Sequence, residues 1–61
     1  MTKADYISKC IEKRIEMGYT KAEVARGFGI DRSAITRFEQ GKYNSLDLFI
    51  YYMNLERRKN A

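Results

Sequence analysis

A chain of 61 residues makes one small domain at most, here spanning 1–61, and at this size folding buries only about 60% of the surface that the unfolded chain exposes. A composition of 44% hydrophobic and 33% charged residues is too apolar for a disordered tail and too charged for a membrane protein, and the small volume excludes a large substrate cavity. The absence of His and the single Cys leave acid–base catalysis near neutral pH and a zinc site or internal disulfide without their residues, while a net charge of +4 biases the chain toward polyanions. No cofactor, no metal and no enzymatic activity are therefore expected.

The elements follow in chain order. Thr2 and Asp5 form a capping pair, and Ile7, Cys10, Ile11, Arg14 and Met17 recur at helical spacing until Gly18 stops the first helix. Cys10 reads as a small core residue and implies a reducing cytoplasm. Thr20 and Glu23 form a capping box for a second helix, with Tyr19 and Val24 as its staple, Val24, Ala25 and Phe28 on its inner face, and Gly29 at its end. Gly27 inside that helix costs about 1 kcal/mol relative to Ala. Asp31 is the expected cap of a third helix from Arg32 to about Gln40, with Ala34, Ile35 and Phe38 inward and Arg32, Ser33, Thr36, Arg37 and Gln40 outward.

After Lys42-Tyr43-Asn44, Ser45 caps a fourth helix expected to run to Arg57, Arg58 and Lys59, whose charges suit its C-terminal dipole. Leu46, Phe49, Ile50 and Met53 form one apolar stripe of this helix, and Leu48, Tyr52 and Leu55 form another. One core does not readily cover both, so the second stripe, with Tyr51, is expected to be a self-association surface. The competing reading packs it under helix 1 or the C-terminal tail. Arg14 interrupts the apolar stripe of helix 1, and an unpaired guanidinium there is heavily penalised, so Glu39 is its natural structural partner. The opening segment has no apolar run of leader length, and Leu48 to Met53 is far short of a bilayer span, so no membrane partner is expected.

Two short helices joined by Phe28-Gly29-Ile30-Asp31, with Ala25 at their crossing and a helix-turn-helix over about 21–40, resemble the Cro/repressor-type (XRE-like) helix-turn-helix domains of phage and bacterial regulators. The resemblance covers about residues 6 to 55. It is carried by Arg14, Met17-Gly18-Tyr19-Thr20, Val24-Ala25, Gly29-Ile30, Ile35, Phe38-Glu39-Gln40-Gly41 and the apolar run from Leu46. It implies an all-α, lambda-repressor-like fold of four helices, or five with a vestigial last one, binding a double-stranded DNA operator as a homodimer. It also implies base contacts from Arg32, Ser33, Thr36 and Arg37, phosphate contacts from Lys21, Lys42, Tyr43 and Asn44, and an internal Arg14–Glu39 pair. For Arg32 a phosphate contact is the alternative, for Tyr43 packing over the loop, and for the lysines a solvated surface. Many members carry Gln where this chain has Lys21.

The function so implied is a small transcriptional regulator in the cytoplasm, a Cro-like repressor that occludes a promoter, with no small-molecule effector. The alternative is a protein-interaction module or antirepressor that binds a partner through its apolar fourth helix.

Overall fold

The computed structural model describes residues 2–58, and among them every regular element is helical: α1 (Lys3–Glu16), α2 (Lys21–Phe28), α3 (Arg32–Glu39) and α4 (Leu46–Met53). Local chemistry sets the starts. Thr2 Oγ1 accepts the Asp5 N–H while the Asp5 carboxylate accepts the Thr2 N–H, and Thr20 and Glu23 repeat the arrangement at α2. Ser45 Oγ accepts the Leu48 N–H at 3.1 Å to open α4. Asp31 stands at the start of α3 with extended backbone but makes no side-chain hydrogen bond there, so α3 begins without the cap its sequence predicts.

The stops of α1, α2 and α3 are glycine turns. At the end of α2, Gly29 takes φ 93°, a left-handed conformation that a Cβ disfavours, and the Ile30 N–H returns to the Ala25 carbonyl at 2.9 Å. This turn sets α3 across α2 over Ala25, which is 2% exposed and leaves room for the fully buried Ile35 and Phe38. Val24, Cys10, Ile7, Leu48 and Tyr52 complete the core between α1, α2–α3 and α4.

Two expectations for α4 are corrected. The predicted self-association stripe is the core stripe: Leu48 and Tyr52 are fully buried, Leu55 is 8% exposed, and Tyr51 is half-buried against Phe28 with ring centroids 5.3 Å apart. The stripe expected to be inward is divided: Leu46 is 72% and Ile50 47% exposed, while Phe49 and Met53 are half-buried and pack against the core. The reason is a polar handle. Tyr52 stacks on Phe38 at 5.3 Å and its hydroxyl donates to the Glu39 carboxylate at the end of α3.

The second correction concerns length. α4 ends at Met53, so Arg57 and Arg58 do not sit on its last turn, and Lys59 lies outside the described residues. Beyond Asn54 the chain turns back: Leu55 enters the core and the Arg58 N–H donates to the Met17 carbonyl at 2.8 Å. No fifth helix forms among the described residues. Gly27 also has a reason beyond helix propensity, because a Cβ at this position would collide with the Tyr51 hydroxyl.

Candidate nucleic-acid interface

α3 has two chemically distinct sides. Burial of Ala34, Ile35 and Phe38 fixes its rotation, and the 3.6-residue period then places Arg32, Ser33, Arg37 and Gln40 in solvent with Thr36 half-buried between them. Among the described residues neither Arg32 nor Arg37 joins an ion pair. Two guanidinium forks and two hydroxyls therefore share one face, a donor-rich set suited to the acceptors of guanine and to phosphate oxygens.

The flanking residues are more scattered. Lys21 is the first residue of α2 and is half-buried, while Lys42 is exposed just after α3, where its N–H donates to the Arg37 carbonyl at 2.8 Å. Tyr43 is half-buried and packs against the core. Asn44 is exposed at the edge of an open groove of about 440 Å³ that it lines with Tyr6, Leu46 and Phe49, so it faces the α1–α4 side more than its neighbours do. Lys3 is a cation that spacing alone did not single out: its Cε would lie 3.8 Å from a Cβ on Gly41, beside the end of α3. A contact between α1's first turn and a loop nearly forty positions away has no local signal in the sequence.

Under this surface lies a network that holds α3 in place. Arg14 Nε donates to Glu39 Oε2 at 2.8 Å and Nη2 to Oε1 at 3.1 Å, while Nη1 donates to the Tyr19 carbonyl at 3.1 Å. The side chains of the pair are 12% and 5% exposed. Tyr52 Oη adds a third donor to the carboxylate, so Glu39 joins α1, α4 and, through Arg14, the α1–α2 turn. The planar, bidentate geometry suits Arg and would be lost with Lys. Burial, then the bond to Glu39, pushes the Tyr52 phenol well above its ordinary value. Burial and the nearby Glu39 push the Cys10 thiol up to about 11, which keeps it protonated and unreactive near neutral pH.

Residues 11–49 match the family model for helix-turn-helix domains. The chain belongs to the Cro/repressor-type helix-turn-helix family. Proteins of this family bind DNA and regulate transcription. The match runs from the middle of α1 to the first turn of α4 and contains α2, α3 and Glu39 entire. No curated protein and no solved structure matches this helix-turn-helix chain. Among its described residues no helix is long and apolar enough to cross a membrane, and no group of His, Cys, Asp or Glu is placed to hold a metal ion.

Proposed function

We propose that this helix-turn-helix protein is a small Cro-like repressor that binds a specific duplex operator and occludes a promoter. The observation that carries the reading is the outer face of α3, where Arg32, Ser33 and Arg37 are exposed while the inner face is locked into the core. In this reading α3 lies in the major groove. Arg37 and Arg32 present their forks to guanine O6 and N7, and Ser33 and Thr36 contact bases or phosphates as the local step allows. Lys21, Lys42, Tyr43 and Asn44 contact the phosphate backbone and set the register without reading sequence.

Two copies bind a two-fold operator with half-site centres about 34 to 36 Å apart. The exposed Leu46 and Ile50 on α4 supply apolar surface for pairing, in place of the buried stripe. The same two residues favour a second reading, an interaction module that docks a partner protein on α4. That module would form salt-insensitive complexes and select no operator.

Selection of bound duplexes from a random library, followed by titration across a salt series, separates the two. A repressor enriches a defined site and loses affinity steeply with salt. Arg37→Ala then costs about 1–3 kcal/mol and relaxes specificity at one position. Unchanged affinity and salt slope in Arg37→Ala would remove the proposed readout.

A further inference from the structure

The segment after α4 is a strap across the α1–α2 junction. Leu55 anchors it in the core, the Arg58 N–H donates to the Met17 carbonyl at 2.8 Å, and the Arg58 Cβ lies 3.6 Å from where a Cβ on Gly18 would stand. So held, the Arg58 guanidinium sits 2.7 Å from Glu23 Oε2. The carboxylate is divided between two duties: Oε1 accepts the Thr20 N–H at 2.8 Å to cap α2, and Oε2 faces Arg58.

Glu23 is the one acidic residue in α2, and it lies two positions after Lys21. Its capping duty fixes the carboxylate close to the start of the helix. The Glu23 side chain points about 200° around the helix from that of Lys21, so the two do not face each other. Both stand in the first turn, however, and a negative charge there, offset otherwise by Arg26 one turn on, repels a phosphate held by Lys21 over a distance of the order of a Debye length, roughly 8 Å at physiological salt. We propose that Arg58 is a positioning residue for DNA binding: by pairing with Glu23 in the same first turn of α2 as Lys21, it makes the C-terminal strap part of the DNA-binding surface. This rests on the assignment of a phosphate contact to Lys21. Stability alone is a weak reason for the pair, since the Arg58 side chain is 49% exposed and such pairs contribute about 0–1 kcal/mol.

The test uses the full chain and a duplex selected by the wild-type protein, with affinities measured from about 0.05 to 0.3 M salt and thermal unfolding followed in parallel. Arg58→Gln, Arg58→Lys, Glu23→Gln and the Arg58→Gln/Glu23→Gln pair are compared. Glu23→Gln keeps an acceptor for the Thr20 N–H, so the cap survives. Arg58→Gln should weaken binding about threefold to tenfold at low salt, with the loss fading at high salt. Arg58→Lys should bind like wild type, and Arg58→Gln should have no further effect in the Glu23→Gln background. An equal loss in both backgrounds overturns the proposal. So does a lower melting temperature with unchanged affinity of the folded chain, which would make the strap a stability element alone. Failure of the wild type itself to select any duplex would instead sink the DNA-binding reading, before any variant is compared.

Discussion

The phenolic hydroxyl of Tyr52 donates to Glu39 Oε2 across 2.6 Å and so ties the end of α3 to α4. The Glu39 side chain is 5% exposed, and its carboxylate needs more than the Arg14 fork to satisfy its lone pairs. Tyr52→Phe keeps the stacked ring and deletes that donor. We expect a loss of about 1–3 kcal/mol, read as a lower urea midpoint at unchanged m-value, with operator affinity of the folded chain preserved. A neutral result would mean that water or Arg14 alone satisfies Glu39.

The Arg14–Glu39 pair makes a larger claim. Removing one partner leaves the other charge nearly buried, and Glu39→Ala should cost about 3–5 kcal/mol, close to the whole stability of a small domain. In a Tyr52→Phe background, which leaves no buried hydroxyl without its acceptor, an apolar double replacement, Arg14→Met with Glu39→Met, should recover much of that loss because neither charge is then stranded. Chemical denaturation of both variants decides it. If the double replacement is no more stable than Glu39→Ala, the pair acts through something other than charge compensation.

These two cases separate what the sequence reveals from what it hides. A charge inside an apolar stripe demands a partner wherever it sits, so Arg14 and Glu39 could be matched before any coordinates. The caps at Thr2, Thr20 and Ser45 and the glycine turns were legible because each is decided by four or five consecutive residues. The outward face of α3 was legible because three apolar positions fix its rotation. The rotation of α4 was not: only Asp47 interrupts an apolar helix, and the tie is broken by Tyr52 finding Glu39, thirteen positions away. The strap was hidden for a related reason: Leu55 continues the spacing of Leu48 and Tyr52 and so reads as helix, although α4 ends at Met53, and the partners of Arg58 lie far away in the chain, at Met17 and Glu23.

The rotation of α4 can be checked directly. Leu48→Ala removes a fully buried side chain and should cost about 2–5 kcal/mol, whereas Ile50→Ala, at a position 47% exposed, should change stability by no more than about 0.5 kcal/mol. Urea denaturation of the pair supplies the comparison. A reversed order of effects would place Ile50 instead of Leu48 in the core.

Gly27 offers a test in which local propensity and packing oppose each other. Ala is favoured in a helix by about 1 kcal/mol, yet its methyl would collide with the Tyr51 hydroxyl, whose ring is held edge-on by Phe28 at 5.3 Å. Overpacking of this kind costs about 1–3 kcal/mol, so Gly27→Ala should lower the melting temperature. In a Tyr51→Phe background the nearest clash is gone, leaving the ring carbon 3.4 Å away, and the same substitution should raise it. Stabilisation in both backgrounds would mean that Tyr51 moves aside freely.

Alkaline pH should expose the protected interior of the core. Burial, reinforced by Glu39, raises the Cys10 thiol to about 11 from an ordinary value of 9.0, and Tyr52 shifts in the same direction. A group whose folded value is raised keeps its proton longer in the native state, so its contribution is complete below pH 9.0 and is lost as pH climbs toward about 11. The urea midpoint should therefore hold steady through neutral pH and fall across that interval. Cys10→Ala should flatten the first part of the fall whatever its effect on absolute stability, while Tyr52 continues the decline at higher pH. Thiol labelling gives an independent readout: Cys10 is fully buried, so a disulfide reagent should modify it only through opening of the native state and speed up as urea is added. Labelling at the rate of a free thiol at neutral pH would place Cys10 outside the core and remove its part in the alkaline transition.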